Sequence, residues 1–155
     1  MTREAFVKDM DRQLKLVRTE HGFTQDAMAQ VLGISKKTLV QIEKGRASLG
    51  WMGAVALVSI FSGSQVLAGR LGGEPSDIVQ ALAFQERKPR YPQTMGGRVW
   101  WRAVERRGAY RIQQNILSQH YRALDERDGR VFSSFELEEV RRYLEELEGG
   151  GHGNG

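Results

Sequence analysis

Four hydrogen-bonding side chains lie close together in one short stretch of the chain, at Lys36, Lys37, Thr38 and Gln41. Lysine can donate to the edge of a guanine, and glutamine can form two hydrogen bonds with an adenine. Side chains of this kind distinguish bases when a helix carries them on an exposed face that fits a DNA groove. The chemistry therefore predicts base recognition, provided that the flanking sequence builds such a helix.

The flanking sequence predicts a helix, a tight turn and a second helix between Gly22 and Arg46. Thr24 is a favourable N-cap for the first helix, and Gly33 can end it in the left-handed conformation. Ser35 is a second N-cap, and it begins the helix that carries the four side chains. Apolar residues at helical spacing predict the buried face of that second helix, and they are Leu39 and Ile42.

This span resembles the helix-turn-helix of the Xre family, which has the phage-repressor or Cro-like fold. The similarity covers about residues 10–61. The residues that carry it are Leu14, Arg18, Thr24, Gln25, Ala29, Leu32, Gly33, Ile34, Ser35, Thr38, Ile42, Glu43, Lys44 and Gly45. The resemblance implies a five-helix DNA-binding domain with residues 35–44 as its recognition helix. It also implies that Lys36, Lys37 and Gln41 read bases, and Thr38 lies among them.

Five further side chains are predicted to contact DNA phosphates. Gln25 and Ser35 lie at helix N-termini, where free N–H groups favour anions. Lys44 and Arg46 follow the recognition helix and can hold the DNA backbone. Arg18 lies on an outer face of the first helix, where an ordinary solvated side chain is the alternative interpretation.

The remaining sequence predicts further helices and then a different class of structure. Helices are expected at residues 4–21, 51–61, 65–71 and 76–86. The nearly all-apolar helix at 51–61 needs cover on more than one side, from other helices or from a second subunit. Strands are expected at 110–117, 120–125 and 130–135, with an Asp-Gly turn before the last, and an amphipathic helix at 136–148.

Residues 98–107 suit a short helix, with a strand as the competing interpretation because Val-Trp-Trp has high β-propensity. The predicted fold is therefore a mainly α helix-turn-helix domain followed by a small α+β unit. That unit consists of a helix, an antiparallel hairpin or sheet and a C-terminal helix. The expected segments are a DNA-binding domain at 1–86, a basic linker at 87–97, an α+β domain for dimerisation or partner binding at 98–148 and a disordered tail at 149–155.

Aromatic residues are frequent in the predicted α+β domain. They can form its core or, in part, a partner surface, where tryptophan and tyrosine are enriched. The core is the favoured interpretation. The residues concerned are Trp100, Trp101, Phe132, Phe135 and Tyr143.

Composition narrows the classes of function. The 155 residues carry a net charge of +4 and a pI of about 9.6, which favours an anionic partner. There is no cysteine, and the three histidines lack metal-ligand spacing, so we expect no metal, no cofactor and no enzymatic activity. The charged first residues and the shortness of the apolar run at 51–61 predict a cytoplasmic protein without a membrane partner.

The leading interpretation is a sequence-specific DNA-binding transcriptional regulator that acts as a homodimer on double-stranded DNA. The alternative is an antitoxin-like or mobile-element regulator whose residues 98–148 bind a partner protein. A third possibility is that the α+β domain binds nucleic acid itself, for instance RNA by its shape. The segment that leads into this domain is basic, because residues 87–111 hold eight Lys or Arg and one acid, Glu105.

Overall fold

The computed structural model describes residues 1–90 and 100–150 of the chain. The chain divides into two compact units between residues 91 and 92. This division falls inside the predicted linker, of which residues 91–97 lie outside the described residues. The first unit is helical, and the second combines a sheet with one helix.

Six helices make up the described part of the N-terminal unit. Their bounds are α1 Arg3–Glu20, α2 Gln25–Leu32, α3 Lys36–Glu43, α4 Gly50–Ile60, α5 Gln65–Leu71 and α6 Pro75–Phe84. The resemblance implies five of them, and the sequence pattern predicts α6 separately. Pro75 lies in the first turn of α6, where its fixed φ and missing N–H are tolerated.

The core of this unit is built on α1. Phe6, Met10, Leu14 and Val17 are all fully buried, at the helical spacing seen in the sequence. Around them pack apolar residues of the other helices, including Met28, Leu39, Leu57 and Leu67.

Helix α4 is covered on one side only within the described residues. Ala54, Leu57 and Val58 are buried against the core. Met52 and Ile60 remain 84% and 48% exposed. Helices of this unit therefore do not supply the second cover that the apolar sequence of α4 calls for.

The C-terminal unit is a four-stranded antiparallel meander with one helix. Its elements are β1 Trp101–Arg107, β2 Tyr110–Asn115, β3 Tyr121–Leu124, β4 Arg130–Ser134 and α7 Leu137–Gly150, and the strands lie in the order β1-β2-β3-β4. The predicted helix at 98–107 is wrong, and the competing strand is correct. The β-favouring residues of β1 pair along β2, which the helical spacing of Val99, Ala103 and Val104 did not reveal. Arg98 and Val99 themselves lie outside the described residues.

Aliphatic side chains form the core of the C-terminal unit. Ile112 and Ala123 of the sheet pack against Val140 and Leu144 of α7. The predicted aromatic core is only partly correct, because Phe132 and Tyr143 stack at 4.5 Å beside this core while Phe135 is 72% exposed. Trp100 is also exposed.

Helix α7 continues through Gly150, two residues into the segment predicted as a disordered tail. Residues 151–155 lie outside the described residues. Within the described ranges, no single helix is long and apolar enough to cross a membrane. Helices α4 and α5 reach that length only together, and they are bent by 119° at the break between them.

Candidate nucleic-acid interface

The turn between α2 and α3 is closed by backbone hydrogen bonds. Gly33 has φ +71°, a left-handed conformation that glycine adopts without steric cost. Its N–H donates to the carbonyl of Gln30 at 3.2 Å, and the N–H of Ile34 donates to that of Ala29 at 3.0 Å. This is a Schellman arrangement, and the half-buried Ile34 packs against the helical core. The predicted role of Gly33 is confirmed.

Helix α3 is capped at both ends. The hydroxyl of Ser35 accepts the N–H of Thr38 at 3.0 Å and so satisfies one of the first N–H groups of the helix, which have no intrahelical acceptor. At the other end Gly45 has φ +75°, and its N–H donates to Ile42. The N–H of Arg46 donates to the carbonyl of Gln41 at 2.9 Å. These caps fix both the length and the direction of the helix.

The inner and outer faces of α3 differ in chemistry. Leu39 and Ile42 are buried in the core. Lys37, Gln41 and Lys44 recur at intervals of four and three residues and lie opposite to them. The two lysines are exposed and Gln41 is half-buried, and no side-chain hydrogen bond or ion pair engages the three within the described residues. Their polar ends are therefore available to a ligand.

The other two predicted base-reading residues have local partners. Lys36 Nζ lies 3.3 Å from Asp26 Oδ2, in a pair that is largely exposed and hence weak. The hydroxyl of Ser35 donates to that of Thr38 at 2.9 Å. Both side chains remain exposed at the flanks of the outer face, so a ligand can replace these contacts at little cost.

Glu43 joins three helices by accepting hydrogen bonds from two of the predicted phosphate-binding residues. Arg18 Nε donates to Glu43 Oε1 at 2.7 Å, and Gln25 Nε2 donates to Glu43 Oε2 at 2.7 Å. The carboxylate is only 6% exposed. A second nitrogen of Arg18 donates to the carbonyl of Phe23 at 3.1 Å. These bonds engage the partly buried side chains of Arg18 and Gln25, and their contact with phosphate stays a prediction.

We call the hydrogen-bonded group of Arg18, Gln25 and Glu43 the clamp, and the sequence analysis did not predict it. All three are among the residues that carry the resemblance to the Xre family. The available signal was therefore one acidic side chain, Glu43, and two hydrogen-bond donors, Arg18 and Gln25. Pairing them required the three-dimensional contact between α1, α2 and α3. By contrast, Lys44 and Arg46 are exposed, and no ion pair holds either one in the part of the chain that the structure describes.

A family model described as helix-turn-helix matches residues 14–50. The N-terminal unit carries an Xre-like helix-turn-helix. The match extends from α1 to the start of α4 and includes both capped helices. The turn, the clamp and the exposed face of α3 all lie within the matched residues.

Three relatives contain a similar segment. Each is named "Putative HTH-type transcriptional regulatory protein". The one from Pyrococcus horikoshii is 31% identical over 52% of this chain and 29% of its own length. The one from Thermococcus gammatolerans is 28% identical over 57% of this chain and 26% of its own. The one from Thermococcus kodakarensis is 33% identical over 49% of this chain and 22% of its own.

The chain thus spans less than a third of the length of these relatives. No solved structure matches the chain.

Proposed function

We propose that the chain is a sequence-specific DNA-binding transcriptional regulator whose recognition helix, residues 35–44, enters the major groove. The observation that carries the proposal is the exposed polar face of α3, which is fixed by caps at both ends. The apolar face of the same helix is buried, so the polar face is free for a ligand. The names of the three relatives favour the same class of function.

The proposal assigns base reading to the outer face and backbone contact to its ends. Lys36, Lys37, Thr38 and Gln41 face the base edges, where lysine and glutamine suit guanine and adenine. The N-termini of α2 and α3, at Gln25 and Ser35, offer backbone N–H groups to phosphates. Lys44 and Arg46 neutralise phosphates at the far end of α3. Arg18 contributes less, because Glu43 already holds its guanidinium.

Selection of bound sequences from a random DNA pool tests this function. A regulator of this kind enriches a common motif, and its affinity falls steeply as salt displaces phosphate contacts. An enriched motif with two-fold symmetry would support a dimer. Recovery of no motif, under conditions where the protein is folded, would contradict sequence-specific binding.

We further propose that the regulator acts as a homodimer through α4. The support is the pair of exposed apolar side chains on this helix, Met52 and Ile60, which are eight positions apart and so lie near one face. A second copy would supply the missing cover. Two-fold pairing would also suit an operator whose two half-sites lie about one helical turn apart.

A partner protein is the second candidate for the C-terminal unit. Four apolar side chains near the β2–β3 turn and the end of β4 are exposed, and they are Trp100, Ile116, Leu117 and Phe135. Exposed apolar patches of this kind mark protein contacts. Pull-down with the full chain and with Phe135→Ser tests this candidate. A partner lost with the variant supports it, and identical recovery with both proteins contradicts it.

A further inference from the structure

The sheet of the C-terminal unit has two faces, and α7 covers one of them. Ile112 and Ala123 point toward α7 and are buried there. Two ion pairs also join the sheet to α7. Arg141 Nε lies 2.7 Å from Glu105 Oε1, and Arg107 Nη1 lies 3.0 Å from Glu145 Oε1. The first pair joins an arginine of α7 to an acid of the sheet, and the second joins an arginine of the sheet to an acid of α7.

The strand register places four arginines on the opposite face, which we call the open face. Arg106 pairs with Arg111 across β1 and β2, Arg111 with Leu124 across β2 and β3, and Leu124 with Arg130 across β3 and β4. Directly paired residues share one face of a sheet. Arg122 reaches the same face through its pairing with Gln113 and Ser133. None of the strand residues on this face is acidic.

Arg122 is the arginine of the open face that packs most closely against its neighbours. The guanidinium of Arg122 lies 3.6 Å from the ring centroid of Trp101, and its Nε donates to Gln113 Oε1 at 3.0 Å. Burial lowers the pKa of Arg122, and the positive charges of Arg130 and Arg111 lower it further. Repulsion between these positive charges raises the free energy of the protein without a ligand, and a bound anion would relieve this cost.

Little of this positive charge is neutralised within the unit. Arg111 pairs with Asp128 of the β3–β4 turn, whose carboxylate is largely exposed. The nearby Asp125 carboxylate is engaged by the N–H groups of Arg127 and Gly129. Arg106 and Arg130 are exposed, and no ion pair holds either of them within the described residues.

We propose that the open face binds the phosphate backbone of duplex DNA without reading its bases. Arginine is suited to this contact because its planar guanidinium donates two hydrogen bonds to one phosphate. A duplex is favoured over a single strand because one face of the Trp101 ring is already covered by Arg122, so it is a poor platform for stacking bases. This contact does not depend on the role proposed for α3.

The test measures binding of the full chain to a duplex of scrambled sequence by fluorescence anisotropy over a range of salt. Arg106→Gln combined with Arg130→Gln removes two charges from the open face. The matched control is Arg102→Gln combined with Arg142→Gln, which removes two exposed arginines outside it. Both double variants are also examined in a background that carries Lys37→Gln and Gln41→Ala, two substitutions that should weaken DNA binding through α3. Thermal unfolding establishes that every variant is folded.

We expect the open-face variant to bind on the order of tenfold more weakly than the control, with a salt slope shallower by about 2. Replacing the same two residues by lysine should retain most of the binding, because the charge is kept and only the second hydrogen bond to each phosphate is lost. Equal affinities and slopes for the open-face and control variants would overturn the proposal, as would an equal loss with lysine. A larger effect on single-stranded DNA or on duplex RNA would overturn the choice of duplex DNA. Failure of the α3 proposal would show separately, as unchanged base preference in α3 variants.

Discussion

The Nε atom of Arg18 lies 2.7 Å from Oε1 of Glu43, and this ion pair ties the first helix to the end of the third. Gln25 binds the other oxygen of the same carboxylate. The direction of α3 is therefore set by this polar clamp as well as by Leu39 and Ile42. Loss of the clamp should affect stability and DNA binding together.

Glu43→Ala should lower the free energy of unfolding by about 3 kcal/mol, because it leaves Arg18 and Gln25 without their acceptor. Urea unfolding measures the change. Glu86→Ala, an exposed residue with no hydrogen bond or ion pair to the described residues, is the control and should have little effect. Equal stabilities of the two variants would show that the clamp does not hold the helices.

Gly33→Ala should destabilise the protein by about 1 kcal/mol, because φ +71° is unfavourable for a residue with a Cβ. A Cβ at this position would meet no atom within 4 Å, so conformation alone is tested. Gly69→Ala is the matched control. It lies within α5 with equally open space, and alanine there should stabilise the protein by about 0.5–1 kcal/mol. A stabilising Gly33→Ala would contradict the proposed turn.

Glu20 makes stability depend on acid pH. Burial raises the pKa of its carboxyl, but hydrogen bonds from the Ser64 hydroxyl and the N–H groups of Gln65 and Val66 outweigh this, so the pKa is lowered in the folded state. The carboxylate therefore stabilises the fold above the unfolded pKa, and this contribution is lost as the pH falls through the folded pKa.

Wild type should accordingly lose more free energy of unfolding than Glu20→Gln between about pH 6 and about pH 3. Urea unfolding at several pH values measures this difference. Glu86→Gln serves as the control and should follow wild type. If Glu20→Gln also follows wild type, the hydrogen bonds at the start of α5 do not set the pKa of this residue.

Met52→Glu combined with Ile60→Glu should convert a dimer into a monomer, because charge on both side chains opposes burial of α4. Light scattering after size-exclusion chromatography measures the mass. Leu16→Glu, at another exposed apolar position on α1, should leave the mass unchanged. A wild-type monomer at all concentrations, or a dimer that survives the double substitution, would contradict this interface.

Local signals explain why much of the N-terminal unit could be predicted. Thr24, Gly33 and Ser35 each act within three or four residues of their own position, so their caps are visible in the sequence. The clamp at Glu43 was not predicted, because its partners are distant in the sequence. Arg18 is 25 positions from Glu43, and Gln25 is 18 positions from it.

In the C-terminal unit, two features could not be predicted from the sequence: strand β1 and the basic open face. Val104, the extra residue between Ala103 and Glu105 in the register of β1, interrupts the alternation by which a strand is recognised. The basic open face was equally hidden, since its arginines come from four strands and meet only through their pairing. Its charge was visible in residues 87–111, but its position on one side of a sheet was not.

The most direct test of the account is the base preference of Gln41→Ala against that of Gln80→Ala. Gln80 is an exposed glutamine in α6, so the control removes the same side chain from a helix outside the helix-turn-helix. Selection from a random DNA pool should show that Gln41→Ala relaxes preference at one position of each half-site, at a cost of about 1–3 kcal/mol in affinity, while Gln80→Ala keeps the wild-type motif. The same motif and affinity for both variants would contradict the placement of this face of α3 in the major groove.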